Sequence, residues 1–135
     1  MKRGQISTEY LILIGFITFV IIGVLGVAFF YTNAVKDDIR FKQIQQFSEK
    51  IISSAESVFY SGEPSKITVT SYLPEGVNSI QIVGKEIIMN ISTSSGQNII
   101  SYPSRVNLQG AISANSGIKK IEITAQEDRV IISQN

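Results

Sequence analysis

The chain has 135 residues, 44% of them hydrophobic and only 17% charged, with a formal charge of +1. It contains neither cysteine nor histidine, which excludes disulfides, thiol and imidazole catalysis and zinc sites of the usual ligand types. A near-neutral chain with no basic stripe beyond Lys119 and Lys120 gives nucleic-acid binding no electrostatic support.

The first element in chain order is apolar. No side chain between Glu9 and Lys36 is charged. Residues 10–31, at about 1.5 Å rise per residue, are long enough as a helix to cross the roughly 30 Å hydrocarbon core of a bilayer. A cleavable secretory signal has a shorter apolar region, about 7 to 15 residues, followed by a small-residue cleavage site. Here the run is longer and ends in bulky Phe29, Phe30 and Tyr31, so removal after it is not expected. Lys2 and Arg3 precede the run, and mixed charges follow it at Lys36, Asp37, Asp38, Arg40 and Lys42. By the positive-inside tendency the N-terminus stays cytoplasmic and the rest is exported.

Three kinds of residue stand out in this run. A carboxylate such as Glu9 at the edge of an apolar helix is costly unless it is paired or remains in interfacial water. A position near a helix N-terminus, where the macrodipole favours an anion, would also account for it. Gly15, Gly23 and Gly26 punctuate the run, and Gly23 and Gly26 are three apart on one face. Small residues let helix backbones approach closely, although glycine is also common in membrane helices generally, and no G-x-x-x-G spacing is present. Gly4, with no side chain, can enter a narrow protease site in an extended conformation.

Gly4-Gln5-Ile6-Ser7-Thr8-Glu9-Tyr10-Leu11, preceded by Lys2-Arg3 and followed by the apolar run, resembles the class III signal peptide of archaeal type IV pilin-like proteins. The resemblance is specific over about the first 31 residues; beyond them it rests on overall plan. It implies that a prepilin peptidase cuts between Gly4 and Gln5 on the cytoplasmic side, leaving the apolar segment in place. Gln5 then becomes the N-terminus and Glu9 the fifth mature residue. Loss of Lys2 and Arg3 would bring the formal charge from +1 to about −1. The resemblance also implies the partners of such a subunit: membrane lipid before assembly, other pilin subunits in a filament, an assembly ATPase and a membrane platform protein. Within the filament the ammonium of Gln5 on one subunit would pair with Glu9 on a neighbour, fixing register more than adding stability. An N-terminal glutamine that cyclises would lose that amine.

Beyond the apolar run, Phe41, Ile44, Phe47, Ile51, Ala55 and Val58 recur at spacings of three and four and form one stripe. The opposite face carries Lys42, Gln45, Gln46, Ser48, Lys50, Ser53 and Glu56. The pattern predicts one helix over about residues 7–59, with a bend near Asn33 left open, ended by Gly62 and Pro64. From residue 65 the period becomes two, which predicts strands over 66–73, 79–83, 86–93, 99–102, 105–108, 110–113, 118–125 and 129–133. Gly84-Lys85 suits a tight hairpin turn, and Pro74-Glu75-Gly76 another turn. Ile121, Ile123 and Ala125 alternate with Lys120, Glu122 and Thr124, one face buried and one wet. The expected fold class is α+β: a cleavable leader at 1–4, a long helix at 5–59 and an antiparallel β-sheet head at 60–135, the type IV pilin plan. The head is small for a free-standing core, so the amphipathic half of the helix is expected to complete it.

The head offers little chemistry. Asn90-Ile91-Ser92 fits the N-glycosylation pattern, and the alternation of Asn90 with Met89 and Ile91 points it outward, although so short a pattern often arises by chance. Asp37-Asp38 and Glu127-Asp128 are read as capping or solvated pairs rather than metal ligands. Tyr60, Tyr72 and Tyr102 are read as packing residues before a sticky surface. No nucleophile with a base, no paired carboxylates and no phosphate-binding loop is evident, so neither an enzymatic role nor a cofactor is expected. Two functions compete: a structural subunit that is processed and assembled into a surface filament used for adhesion, and a single-pass anchored binding or scaffold module that never polymerises. The peptidase motif favours the first.

Overall fold

The computed structural model describes residues 5–134, with side chains from Thr8 onward. A single helix, α1, runs over Gln5–Ser61. No proline interrupts it, and Thr18 and Thr32 turn their hydroxyls back onto the carbonyls of Ile14 and Ala28, each at 2.8 Å, so neither competes with the helical backbone. Gly62, at φ 76°, ends the helix with its N–H on the Phe59 carbonyl at 3.0 Å, a conformation that costs glycine nothing.

Seven strands follow: β1 (Lys66–Leu73), β2 (Val77–Val83), β3 (Glu86–Thr93), β4 (Gly96–Pro103), β5 (Leu108–Gly110), β6 (Gly117–Ala125) and β7 (Val130–Gln134). They form two sheets, one ordered β1-β6-β7-β5 and one ordered β2-β3-β4. All pairings are antiparallel except β5 with β7, which is parallel. The fold class is α+β, as the sequence implies, with two sheets and one parallel pairing added to the expected plan.

Contacts divide the chain into two units, Met1–Lys36 and Asp37–Asn135. The second unit holds the core. From the helix come Ile44, Phe47, Ile51, Ile52, Ala55 and Val58; from the four-stranded sheet come Val69, Leu73, Ile121, Ile123, Ala125, Val130 and Ile132; from the three-stranded sheet come Ile87, Met89 and Ile91. The stripe read at helical spacing is therefore the buried face, with Phe41 half-buried at its start. One polar residue contradicts its expected position, and a second is buried although charged. Ser48, assigned to the wet face, is fully buried, its hydroxyl satisfied by the Ile44 carbonyl at 3.0 Å and lying 3.7 Å from the Met89 sulfur. Lys119 shares the inner face of β6 with Ile121 and Ile123 and is only 6% exposed, its ammonium donating to Ser113 Oγ at 2.7 Å.

The region between β4 and β6 also differs from expectation. Strands at 105–108 and 110–113 do not form; only Leu108–Gly110 pairs. The chain here leaves one sheet for the other, and other groups take its backbone. Ser104 N–H bonds to Lys85 O, Arg105 N–H to Glu56 Oε1, and Leu108 N–H to Gly84 O. Gly110, at φ 142°, presses so closely on β7 that a Cβ would stand 1.9 Å from the Ile132 carbonyl oxygen. Tyr60 and Tyr72 are exposed, Tyr60 with its ring edge-to-face on Phe59 at 5.8 Å, while Tyr102 is half-buried against the core.

Candidate functional site

The residues singled out in the sequence fall mainly in the first unit. Its helix is long and apolar enough to cross a membrane, and none of its most apolar stretch is buried against protein. The large side chains from Tyr10 to Tyr31 are all exposed, Phe30 to 86%. A helix apolar all round must be covered all round, by lipid or by other helices. The hydroxyls of Thr18, within this segment, and of Thr32, just past it, have partners within their own helix, which is the condition a polar group must meet in hydrocarbon.

Glu9 is exposed, four residues into the described part of α1. At 100° per residue Gly15 falls on the same side of the helix as Gly23 and Gly26, and a Cβ at any of the three would meet nothing within 4 Å. The three together form a shallow face where another helix could approach. Gly4 lies outside the described residues, as does the side chain of Gln5, so the expected cleavage point and the Gln5–Glu9 pairing rest on the sequence.

Asn90 sits on the central strand of the three-stranded sheet, paired with Ser79 on one side and Ile99 on the other. It is half-buried, and its Oδ1 is enclosed without a hydrogen-bond partner. The hydroxyl of Ser92, the third residue of the pattern, is engaged with Asn78 at 2.9 and 3.3 Å.

In the second unit the sequence reading did not find a polar latch between the helix and the two turns at one end of the sheets. Asp37 accepts hydrogen bonds from the Ser94 backbone N–H, at 3.1 Å, and from the Ser94 hydroxyl. Arg40 lies 3.4 Å from both Asp37 Oδ1 and the Ser92 carbonyl oxygen, and its side chain packs on Gly76. The two Ser94 bonds and then the Arg40 charge hold the Asp37 carboxyl below its usual range. Asp38 instead pairs with Lys42 one turn on, at 2.8 Å. Fifty-seven residues separate Asp37 from Ser94, and no local pattern announces their contact.

At the other end of the head an open groove of about 470 Å³ is lined by Val83, Gly84, Asn107, Gln109, Asp128 and Arg129, among others. Asp128 holds Arg129 at 2.9 and 3.2 Å, and Arg129 also donates to Gln109 at 2.9 Å. That bonding lowers the Asp128 carboxyl and raises the Arg129 guanidinium. A smaller groove of about 340 Å³ lies between Glu49, Ile52, Ser53 and Glu56 of the helix and Tyr102 and Pro103. Burial, and then the Glu49 charge, push the Tyr102 phenol up. Among the described residues no group of three or more carboxylates could hold a metal ion.

The fold and the apolar helix together have the architecture of a single-pass membrane protein with a β-rich head, and that architecture is consistent with a pilin-like plan. Comparison of the chain with protein-family models, with curated proteins and with solved structures finds no match in any of the three.

Proposed function

We propose that the chain is a structural subunit of an archaeal type IV-like pilus. It is held in the membrane by residues 10–31, cut between Gly4 and Gln5 by a prepilin peptidase, and drawn by an assembly ATPase and a platform protein into a cell-surface filament used for adhesion. The N-terminus is cytoplasmic and the head external before assembly. The observation that carries this reading is the apolar helix, exposed on every face among the described residues, with the acid Glu9 near its head and the peptidase motif before it. An ordinary anchor needs the apolar helix but neither the motif nor the acid. Lipid supplies the cover first and neighbouring helices later. Since lipid tails and apolar side chains are similarly nonpolar, that exchange must be driven by close packing, by pairing of Glu9 and by work from the ATPase.

Mass spectrometry of the N-terminus of the protein from its native cell tests the reading. A start at Gln5, or at its cyclised form, is the expected result, and cyclisation would remove the ammonium proposed for Glu9. A chain that keeps Met1 to Gly4 would make the apolar run a plain anchor and the head a non-polymerising binding or scaffold module.

A further inference from the structure

Each sheet has two edge strands, β1 and β5 in one and β2 and β4 in the other; β2 and β5 adjoin where the Leu108 N–H bonds to the Gly84 carbonyl, which leaves β1 and β4 as the long edges with no strand paired beside them. Register shows which groups face outward. The Ser65 carbonyl accepts the Ala125 N–H, so odd-numbered residues of β1 bond to β6, and the backbone groups of Lys66, Thr68, Thr70 and Tyr72 point away, the Thr70 carbonyl already accepting from Lys50. The β3–β4 hairpin is closed by Thr93 and Gly96, so even-numbered residues of β4 bond to β3, and those of Gln97, Ile99, Ser101 and Pro103 point away.

The two edges lie on opposite flanks of α1 and run in opposite directions. Lys50 donates to the Thr70 carbonyl at 2.7 Å, which places β1 on one side of the buried stripe. Glu49, Ile52 and Glu56, on the other side of that stripe, meet Tyr102 and Pro103 at the end of β4. β1 starts beside the C-terminal end of α1 and finishes near Gly76, which touches Arg40. β4 starts beside Ser94, which is held by Asp37, and leads to Arg105, which is held by Glu56. So β1 runs against the helix and β4 runs with it.

The flanks also differ in charge. β4 itself carries no charged side chain and no bulge, and Ile99 on its outer face is 73% exposed. Beside it stand Glu49, Glu56 and Glu86, with Arg105 beyond the strand. Beside β1 stand Lys50, Lys66 and Lys120, with Glu122 engaged by Lys66 at 2.7 Å. Edge strands are ordinarily protected by charge, proline or a covering element, and between Gln97 and Ser101 β4 has none of these.

We infer that the β4 edge of one head pairs antiparallel with the β1 edge of a second copy of this chain, joining the heads side by side through a continuous sheet. Two copies in the same orientation bring an uncharged, acid-flanked edge against a lysine-flanked one with strand directions already opposed. The contact is heterologous, and a heterologous contact whose rotation does not close repeats from copy to copy, as a filament requires. The inference rests on the filament reading for its setting and deepens it by naming the contact between heads. It sets the outward residues of β4, Ile99 among them, against the outward residues of β1, Thr68 and Thr70 among them, with their side chains on the outer face of the joined sheet.

Because the chain has no cysteine, paired cysteines report the contact directly. The full-length variant Ile99→Cys/Thr68→Cys, and the same with Thr70→Cys for the register two residues along, would be mildly oxidised both in isolated membranes and in purified filaments. A ladder of disulfide-linked multimers from a double variant, with none from either single variant, is the expected result. Ser101→Pro in the same background removes an outward N–H without touching the β3 pairing, and it should abolish the ladder while leaving head melting unchanged. No ladder in either preparation overturns the inference even if filaments form. A dimer from Ile99→Cys alone also overturns it, since that would mean β4 pairs with itself. A ladder in membranes of cells that build no filament supports the edge pairing and sinks the filament reading instead.

Discussion

The two halves of α1 are the same secondary structure under different covers. Over residues 37–61 the apolar residues form a stripe, and the stripe is buried by two sheets encoded in the same chain. Over residues 8–36 they occur on every face and are exposed among the described residues. Backbone hydrogen bonds hold both as helix, so the difference lies in what each half needs around it: the second half finds its solvent in cis, whereas the first must find it in lipid or in other copies. Substitutions in the two halves should therefore be read by different measurements, folding for one and assembly for the other.

The largest expected effect is on assembly. Glu9→Gln keeps shape and hydrogen-bonding capacity but removes the charge, and it should block or strongly slow filament formation while membrane insertion and head melting stay as they are. Filaments of normal length and number, seen by electron microscopy of cells carrying this variant, would remove Glu9 from any pairing role. The next effect contrasts two phenylalanines. Phe47→Ala, at a fully buried position, should destabilise the head by about 3–5 kcal/mol, whereas Phe19→Ala, exposed in the apolar half, should leave head melting unchanged. Equal melting of the two variants in detergent would erase the contrast between the halves.

A smaller effect contrasts two glycines. Gly110→Ala drives a Cβ onto the Ile132 carbonyl at a positive φ and should cost about 1–3 kcal/mol in head stability. Gly23→Ala meets open space and should cost the head nothing. Any effect of Gly23→Ala should appear in filament yield, because the face it shares with Gly15 and Gly26 matters only when another helix approaches. Loss of head stability in Gly23→Ala, measured by thermal unfolding, would contradict the division of the chain.

The contrast between the halves was legible in the sequence because periodicity records burial directly: Ile44, Phe47, Ile51, Ala55 and Val58 announce a partner, and an uncharged run announces its absence. β1, β3 and β6 were equally plain, each having eight or more residues and hairpin signals nearby. What escaped was whatever depends on contacts between distant residues. Three residues of parallel pairing in β5 leave no period to read, and the strands expected around them would have needed backbone groups already used by Glu56, Gly84 and Lys85. Ser48 and Lys119 are polar residues whose partners, Ile44 and Ser113, make burial tolerable, and type alone assigns them to the surface. Of the candidate site, the motif and the apolar run were visible from residue types. The latch of Asp37 on Ser94 and the opposed free edges exist only once the sheets are placed.

That latch provides the smallest effect and the one with a defined pH window. Because the Asp37 carboxyl is held below its ordinary value of 3.8, chiefly by its two bonds from Ser94, folding favours the ionised form. A group shifted in this direction contributes stability that is fully present above the unfolded value and is lost as pH falls through the lower, folded value. Asp37→Asn should therefore melt below the native chain at neutral pH, by a constant margin down to about pH 4. The margin should then shrink as the native carboxyl is protonated and loses its advantage over the amide. Ser94→Ala, which removes one of the two bonds, should show a smaller margin with the same acid limit. A margin that persists unchanged to pH 2 would mean that shape rather than charge carries the latch. A margin that grows on acidification would reverse the sign of the linkage and rule out Asp37 as an anion in the folded head.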